Sequence, residues 1–317
     1  INFSISGGNN PFGDAVELAF LDAYENGVFV AASAGNSGPT PETVAHRGPW
    51  VTTVAASTSD RHFLSTLTLT ADNGDTLSLT GATVTPGIST PLPVVVNTAD
   101  PLCQVPAAPG SFAGQIVVCD RGVNARVDKS FNVSQGGAAG MILRNLAPQG
   151  LNTDNHWVPS VHIDGPDTQL GPFLNSHTGI MATFTGGTAT AVQGDVIASF
   201  SSRGGPLQTL GVSKPDITAP GVQILAGQTP RPATSDGGYP GQLFQAIQGT
   251  SMSSPHIAGV AALLKDLHPD WTPGQIKSAI MTTAKFVGVV KEDGATQANA
   301  FDTGSGRVDV AAASNPG

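Results

Sequence analysis

Charge is scarce in this chain. Asp, Glu, Lys and Arg make up 12% of its 317 residues, with 14 basic against 23 acidic side chains and a net charge of −9. No basic stripe or arginine-rich run is present, so nucleic acid and anionic membrane are not expected partners. No uninterrupted apolar run approaches the ~20 residues of a spanning helix, so no membrane span is expected either. Cysteine is nearly absent. Cys103 and Cys119 are the only two, and no histidine stands near them at ligand spacing, so no metal site is expected. Initiator methionine and signal peptide are both lacking, and Ile1 falls inside what reads as a strand. The chain therefore reads as a piece of a longer protein.

Glycine (39) and proline (24) are plentiful, and hydrophobic residues reach 39%. A chain of this length buries a large core and holds about two domains. Residues 1–5 read as a strand that ends loosely at Ser6-Gly7-Gly8. A helix over 14–25 ends at Gly27, and 28–32 is a buried strand, which makes a β-α-β unit. Another short strand covers 51–55. The period then changes to alternation in Thr66-Leu67-Thr68-Leu69-Thr70 and Thr76-Leu77-Ser78-Leu79-Thr80. With Asn73-Gly74 between them, these predict a β-hairpin. Pro86 to Pro93 reads as a connector.

From 94 to 188 a second unit is expected, with strands at 94–96, 116–119 and 140–143 and a helix over 127–135. The Gly136, Gly137, Gly140 run follows a helix and leads into a strand. A dinucleotide fingerprint requires the reverse order, so these glycines read as helix-to-strand packing. After 189 the first pattern resumes. Thr272-Pro273-Gly274-Gln275 is a capping box with Pro at the first helical position, and it opens a helix through about 284.

The stretch with most chemical content is Gly249-Thr250-Ser251-Met252-Ser253-Ser254-Pro255-His256-Ile257-Ala258-Gly259. It places Ser251 at the mouth of an apolar helix, among unpaired N–H groups and the positive end of the helix dipole, where developing negative charge is stabilised. A second string, Ala32-Ser33-Ala34-Gly35-Asn36-Ser37-Gly38-Pro39, ends a buried strand with an asparagine that by itself suits an Asx-turn. Both strings resemble segments of the subtilisin-like serine proteases (subtilases), as do Ala198 to Gly204 and Lys214 to Gly221. The resemblance covers essentially the whole chain.

That resemblance implies Ser251 as nucleophile and Asn36 as side-chain donor of an oxyanion hole, acting with the Ser251 N–H. It implies that Ser4, Ile5, Ser6 and Gly7 pair with the substrate backbone as an added strand, and that Ala32, Ser33, Ala34 and Gly35 form the other wall of the S1 pocket. Ser6 stands where the family usually has glycine. The implied fold is α/β: a subtilisin-like doubly wound, mostly parallel sheet, incomplete at its N-terminus, with an inserted β-rich protease-associated (PA) domain. The corresponding divisions are a first catalytic part over 1–93, the PA insertion over 94–188, and a second catalytic part with the nucleophile helix over 189–317. Cys103 and Cys119 read as two buried thiols or as a bridge. The few lysines, the acidic surface and the secreted habit of the family favour the disulfide, with an extracellular or cell-surface location.

The order of parts matters in this family: Asp, His, oxyanion Asn, then Ser. The Asp and His segments would precede residue 1, and no substitute is apparent. Asp302-Thr303-Gly304 follows Ser251 and reads as a turn. His256 lies about 140° around the helix from Ser251, and the other six histidines lack the Gly-Thr-His context. The chain alone is therefore expected to be inactive, its partners being the upstream part of the same polypeptide and a protein or peptide substrate. An α/β-hydrolase would need Gly-x-Ser-x-Gly, which Gly249 to Ser253 does not supply. A non-catalytic peptide-binding pseudoprotease, or a PA-based interaction protein, is the remaining alternative. No cofactor is expected. Some family members hold structural calcium, but no Asp-rich loop of ligand spacing is evident.

Overall fold

Ala31 and Ala32 are neighbours in sequence and both fully buried, yet they belong to different hydrophobic clusters. Successive side chains of a strand point to opposite faces, so this strand has a packed layer on each side. In the computed structural model, which describes residues 1–164, 169–208 and 211–317, the chain runs β1 (Asn2–Phe3), α1 (Ala15–Glu25), β2 (Ala31–Ser33), β3 (Thr52–Ser57), β4 (Arg61–Thr70), β5 (Thr76–Ala82), β6 (Ile88–Val96), β7 (Ile116–Asp120), α2 (Arg126–Gln135), β8 (Gly140–Arg144), β9 (Ser160–Ile163), α3 (Leu170–Ser176), β10 (Met181–Phe184), β11 (Thr188–Ala191), β12 (Ile217–Pro220), β13 (Ile224–Gly227), β14 (Phe244–Ile247), α4 (Thr250–Leu267), α5 (Pro273–Thr282), α6 (Ala300–Thr303) and α7 (Val310–Ala313). These residues divide into two units. One holds Ile1–Arg61, Val192–Ile224 and Gln248–Gly317, and the other His62–Ala191 and Leu225–Ile247.

In the first unit, β1, β2, β3 and β12 form a parallel sheet in that order. Ala31, Val54 and Ile217 face Ile257, Val260 and Leu264 of α4 and Ile276 and Ile280 of α5. Val30, Ala32 and Val51 face Phe20 of α1 on the other side. Helices on both faces are what parallel strands require to bury their apolar runs. Asp14 caps α1 by accepting from the Val16 and Glu17 N–H groups, and α5 starts with the Thr272–Gln275 capping box and Pro at its first turn. Strand β1 is shorter than the pattern over 1–5 suggests, because its pairing with β2 ends at Phe3.

The second unit is built on a sheet in the order β10-β6-β7-β8-β9-β5-β4-β11, and β10 pairs with β4 as well as β6, which closes seven of these strands on themselves. The hairpin β4–β5 turns at Asn73-Gly74, with Gly74 at φ +89. Its strands pair onward with β10 and β9, so the hairpin lies in this unit's sheet rather than in the sheet of β1 to β3. The Pro86 to Pro93 stretch, expected as a connector, instead enters β6. Its prolines are tolerated because residues 88–93 pair only with β10, while the parallel ladder to β7 begins at Val94. Ile116 and Val118 of β7 point into the closed sheet, and Val117 and Cys119 point outward toward Val133 of α2. Cys119 is disulfide-bonded to Cys103, 16 residues earlier. No helix among the described residues is long and apolar enough to cross a membrane.

Closing a loop of that length constrains the unfolded chain by about 3 kcal/mol. Replacing both cysteines with serine should therefore lower the opening free energy of the Ile116–Asp120 amides by about that amount, as read by native-state hydrogen exchange.

Candidate active site

Helix α4 begins after Gly249, and Ser251 is its second residue, half-buried. Pro255 lies four positions further on inside the same helix. Proline has no N–H, so the Ser251 carbonyl loses the helical donor that residue 255 would supply. That carbonyl instead accepts from the Ser4 hydroxyl at 2.8 Å, and the Ser251 hydroxyl donates to the Ser4 carbonyl at 3.1 Å. The two serines are thus tied reciprocally, and the segment after β1 is fastened to the first turn of α4. Ser254 adds a third link by donating to Asn2 Oδ1 at 2.8 Å.

Asn36 stands in the loop that follows β2. Its Oδ1 accepts both from the Thr250 N–H and from the Thr250 hydroxyl, each at 2.9 Å, and Thr250 Oγ1 in turn accepts from the Gly35 N–H at 3.1 Å. With the oxygen end committed to Thr250, the amide NH2 has no hydrogen-bond partner among the described residues. It faces the start of α4, since a Cβ built on Gly249 would lie 3.5 Å from Asn36 Nδ2. The side-chain donor therefore faces the first turn of α4, where the Thr250 and Met252 N–H groups are bonded to Asn36 Oδ1 and Gly249 O and the Ser251 N–H has no partner among the described residues. Gly35 must be glycine. It sits at φ +99, and a Cβ there would fall 2.8 Å from Ser202 Oγ.

Ser4, Ile5, Ser6 and Gly7 diverge from Ser33, Ala34 and Gly35 beyond the end of the β1–β2 ladder. Ile5, Ser6 and Gly7 are exposed, while Ala32, Ser33, Ala34 and Gly35 are buried. The backbone between them is supplied by Ala45 and His46, whose N–H groups donate to Ala34 O at 2.8 Å and Gly7 O at 2.9 Å. Among the described residues, the backbone N–H and C=O of Ser6 have no partner. A donor and an acceptor on one exposed residue are what an added strand pairs with.

His46, His256 and His268, the histidines of the first unit, have partners other than the Ser251 hydroxyl. His256, on the same helix, turns its Nδ1 back to Met252 O at 2.8 Å. His46 is buried against Glu17, at 2.6 Å. His268 stacks on Trp271. His62, His156, His162 and His177 belong to the second unit, where burial pushes His156 and His162 down to about 4. Asp302 is buried in the capping box of α6 and pairs with Arg203 at 3.2 Å.

Two features near this region escape motif reading. One is the Glu17–His46 pair. The other is a buried charge cluster around Asp216, whose Oδ2 accepts from Lys214 Nζ at 2.6 Å and from the Thr53 N–H at 2.7 Å, while Oδ1 meets Lys277 Nζ at 2.9 Å. Burial pushes the Asp216 carboxyl up, but the Lys214 and Lys277 ammonium groups and these hydrogen bonds outweigh it and hold it below the usual carboxylate range. Lys214 is itself drawn down to about 7 by burial, against the attraction of Asp216. A signal for Glu17 did exist in the sequence: it sits three residues before Phe20, on the face of α1 that is buried.

A model of the subtilase family matches residues 1–306. The subtilisin-like protease SBT1.3 of Arabidopsis thaliana is 38% identical over 344 aligned residues, which take in 100% of this chain and 44% of that protein. SBT1.4 of the same plant is 40% identical over 326 residues, covering 96% of this chain and 41% of its own length. SBT5.4, also from Arabidopsis thaliana, is 39% identical over 332 residues, with 96% and 42% covered. The chain thus spans less than half the length of these curated relatives.

Asp216→Asn should destabilise the first unit by about 3–5 kcal/mol, because it leaves the buried Lys214 and the partly buried Lys277 without their carboxylate. The pH dependence follows from the direction of the Asp216 shift. A carboxyl lower in the folded than in the unfolded state contributes stability that is complete above the unfolded value of about 4 and is lost as pH falls below it. Thermal unfolding followed by circular dichroism from pH 6 downward should show this acid loss in the parent and a shallower one in the variant.

Proposed function

The chain belongs to the subtilase family, and on that premise we propose that it is the nucleophile-bearing part of a serine endopeptidase. The observation that carries the proposal is the Asn36 amide, whose oxygen is held by Thr250 while its NH2 end faces the start of the helix that bears Ser251. In this reading Ser251 Oγ attacks the carbonyl carbon of a peptide bond, and its proton passes to a base. The carbonyl oxygen becomes an oxyanion and accepts from Asn36 Nδ2 and the Ser251 N–H. The C–N bond then breaks, the amine leaves with the proton, and water hydrolyses the resulting ester on Ser251 to return the free hydroxyl.

The substrate is an extended protein or peptide segment. It lies against Ser4, Ile5, Ser6 and Gly7, with its P1 side chain against Ala32, Ser33, Ala34 and Gly35. The base and the carboxylate that orients it come from residues of the full-length protein outside these 317: the family order puts the Asp and His segments ahead of the oxyanion Asn, and the histidines of the first unit have partners other than the Ser251 hydroxyl. This is also where a peptide-binding protein without activity would part from a peptidase. The proposed reaction uses no cofactor. The segment over 94–188 is read as a PA domain, and the Cys103–Cys119 disulfide fits an oxidising, extracellular setting.

Three measurements test this. A fluorophosphonate probe should label the full-length protein at Ser251 and leave Ser251→Ala unlabelled. The isolated 317-residue chain should react far more slowly, since loss of the base lowers kcat of a subtilisin about a millionfold. Asn36→Ala in the full-length enzyme should lower kcat about 10²- to 10³-fold with little change in KM, because its hydrogen bond forms with the oxyanion and not with the ground state.

A further inference from the structure

Glu17 and His46 are almost completely inaccessible to solvent, at 0% and 1% exposure, and together they hold the segment proposed to receive the substrate backbone. His46 Nε2 lies 2.7 Å from the Ile5 carbonyl oxygen. A carbonyl only accepts, so Nε2 carries a hydrogen and donates it. His46 Nδ1 lies 2.6 Å from Glu17 Oε1, so the ring is hydrogen-bonded at both nitrogens. Glu17 Oε2 accepts from the Gly48 N–H at 3.1 Å, which fixes the carboxylate plane. The His46 ring is also enclosed by Phe3 and Phe20, with centroids 5.4 and 5.9 Å away.

His46 grips the segment twice. Its ring donates to Ile5 O, and its backbone N–H donates to Gly7 O at 2.9 Å. It reaches both because it adopts φ +53, which turns its backbone N–H and its side chain toward the same strip of chain. The Arg47 N–H continues the grip on Gly8 O at 3.2 Å. Ile5 O and Gly7 O are thus both held by His46, while the exposed Ser6 between them keeps a backbone N–H and C=O without a partner among the described residues, the groups an added strand pairs with. Gly8 follows closely around the same carboxylate: a Cβ on it would overlap Glu17 Oε1.

We propose that the Glu17–His46 pair is a positioning element for substrate, setting the register in which the Ser4–Gly7 segment receives an extended peptide. Neither residue touches the reacting atoms. Their effect passes through the Ile5 and Gly7 carbonyls to Ser6. This inference rests on the reading that an extended peptide lies along Ser4–Gly7, and it adds the residues that make that segment competent to bind.

The experiment uses the full-length protein in a Ser251→Ala background, with fluorescein-labelled β-casein as the extended, uncleaved probe. Because affinity is compared entirely within Ser251→Ala protein, it holds or fails independently of whether the parent cleaves casein. Adding His46→Leu or Glu17→Leu should weaken casein binding about tenfold, the scale of a lost hydrogen bond to a charged group. Adding His46→Gln should keep affinity close to the parent, because its amide still donates to Ile5 O. Glu17→Gln should do likewise, since its amide donates to a neutral His46 Nδ1. With Ser251 restored, His46→Leu should react with a small fluorophosphonate at close to the parent rate, since that probe needs no added strand. Equal casein affinity in the leucine and glutamine variants would overturn the proposal. So would a fall in fluorophosphonate reactivity matching the fall in affinity, because the pair would then serve only to hold the fold.

Discussion

Two hydrogen bonds from Thr250, through its N–H and its hydroxyl, to the Asn36 carbonyl oxygen are what the candidate site depends on. They join the loop after β2 to the first turn of α4 and settle which end of the Asn36 amide is offered to a reacting group. The scaffold beneath them is the parallel sheet, which brings the C-terminal ends of its strands to one edge, where α/β folds place their ligands. Small residues make the approach of the two segments feasible: Ala31 leaves room for α4, and Gly35 leaves room for Ser202. Pro255 adds a link of a different kind. By withholding one helical donor it frees the Ser251 carbonyl for Ser4, so a missing helical bond becomes a connection between α4 and the segment after β1.

Two of the buried charge clusters of the same unit, around Asp216 and at Glu17–His46, are each matched to what surrounds them. Asp216 is held by two lysines and a backbone N–H, and Lys214 also reaches Val51 O at 2.7 Å. Such clusters contribute little net stability over an apolar replacement, but breaking one partner is costly. Their value is geometric. Asp216 ties the approach to β12 to the Thr53 N–H of β3 and to Lys277 of α5, whereas Glu17 and His46 tie α1 to the segment after β1. Each joins elements far apart in the chain through groups that have few alternative partners. Hydrophobic contacts alone would leave the register of those loops less sharply set.

Local chemistry made much of this readable before the structure. Asp14 and Gly27 bracket α1, the Thr272–Gln275 box opens α5, and Asn73-Gly74 marks the β4–β5 turn, because each depends on residues within a few positions of one another. Ser251 and Asn36 were identifiable as candidates from strings whose likeness to a family is itself local, and the structure brings the two together. Long-range pairing was not readable. Nothing in the alternation of Thr66 to Thr80 says that β4 will pair with β10, and the prolines of 86–93 read as a connector because the one-sided pairing that tolerates them is formed by residues 181–184. Glu17 and His46 are 29 positions apart, and Lys214 and Lys277 are 63 apart, so no spacing rule links them. Thr250 was hidden differently: beside a candidate nucleophile it reads as a small spacer, and its role exists only through Asn36.

The most direct test of the central claim is a crystal structure of the full-length protein treated with a peptide aldehyde. A hemiacetal on Ser251 Oγ is predicted, with its oxygen within hydrogen-bonding distance of Asn36 Nδ2 and the Ser251 N–H, and with Thr250 still bonded to Asn36 Oδ1. An adduct whose oxygen points away from Asn36, or an Asn36 amide turned to present its oxygen to the site, would contradict the account.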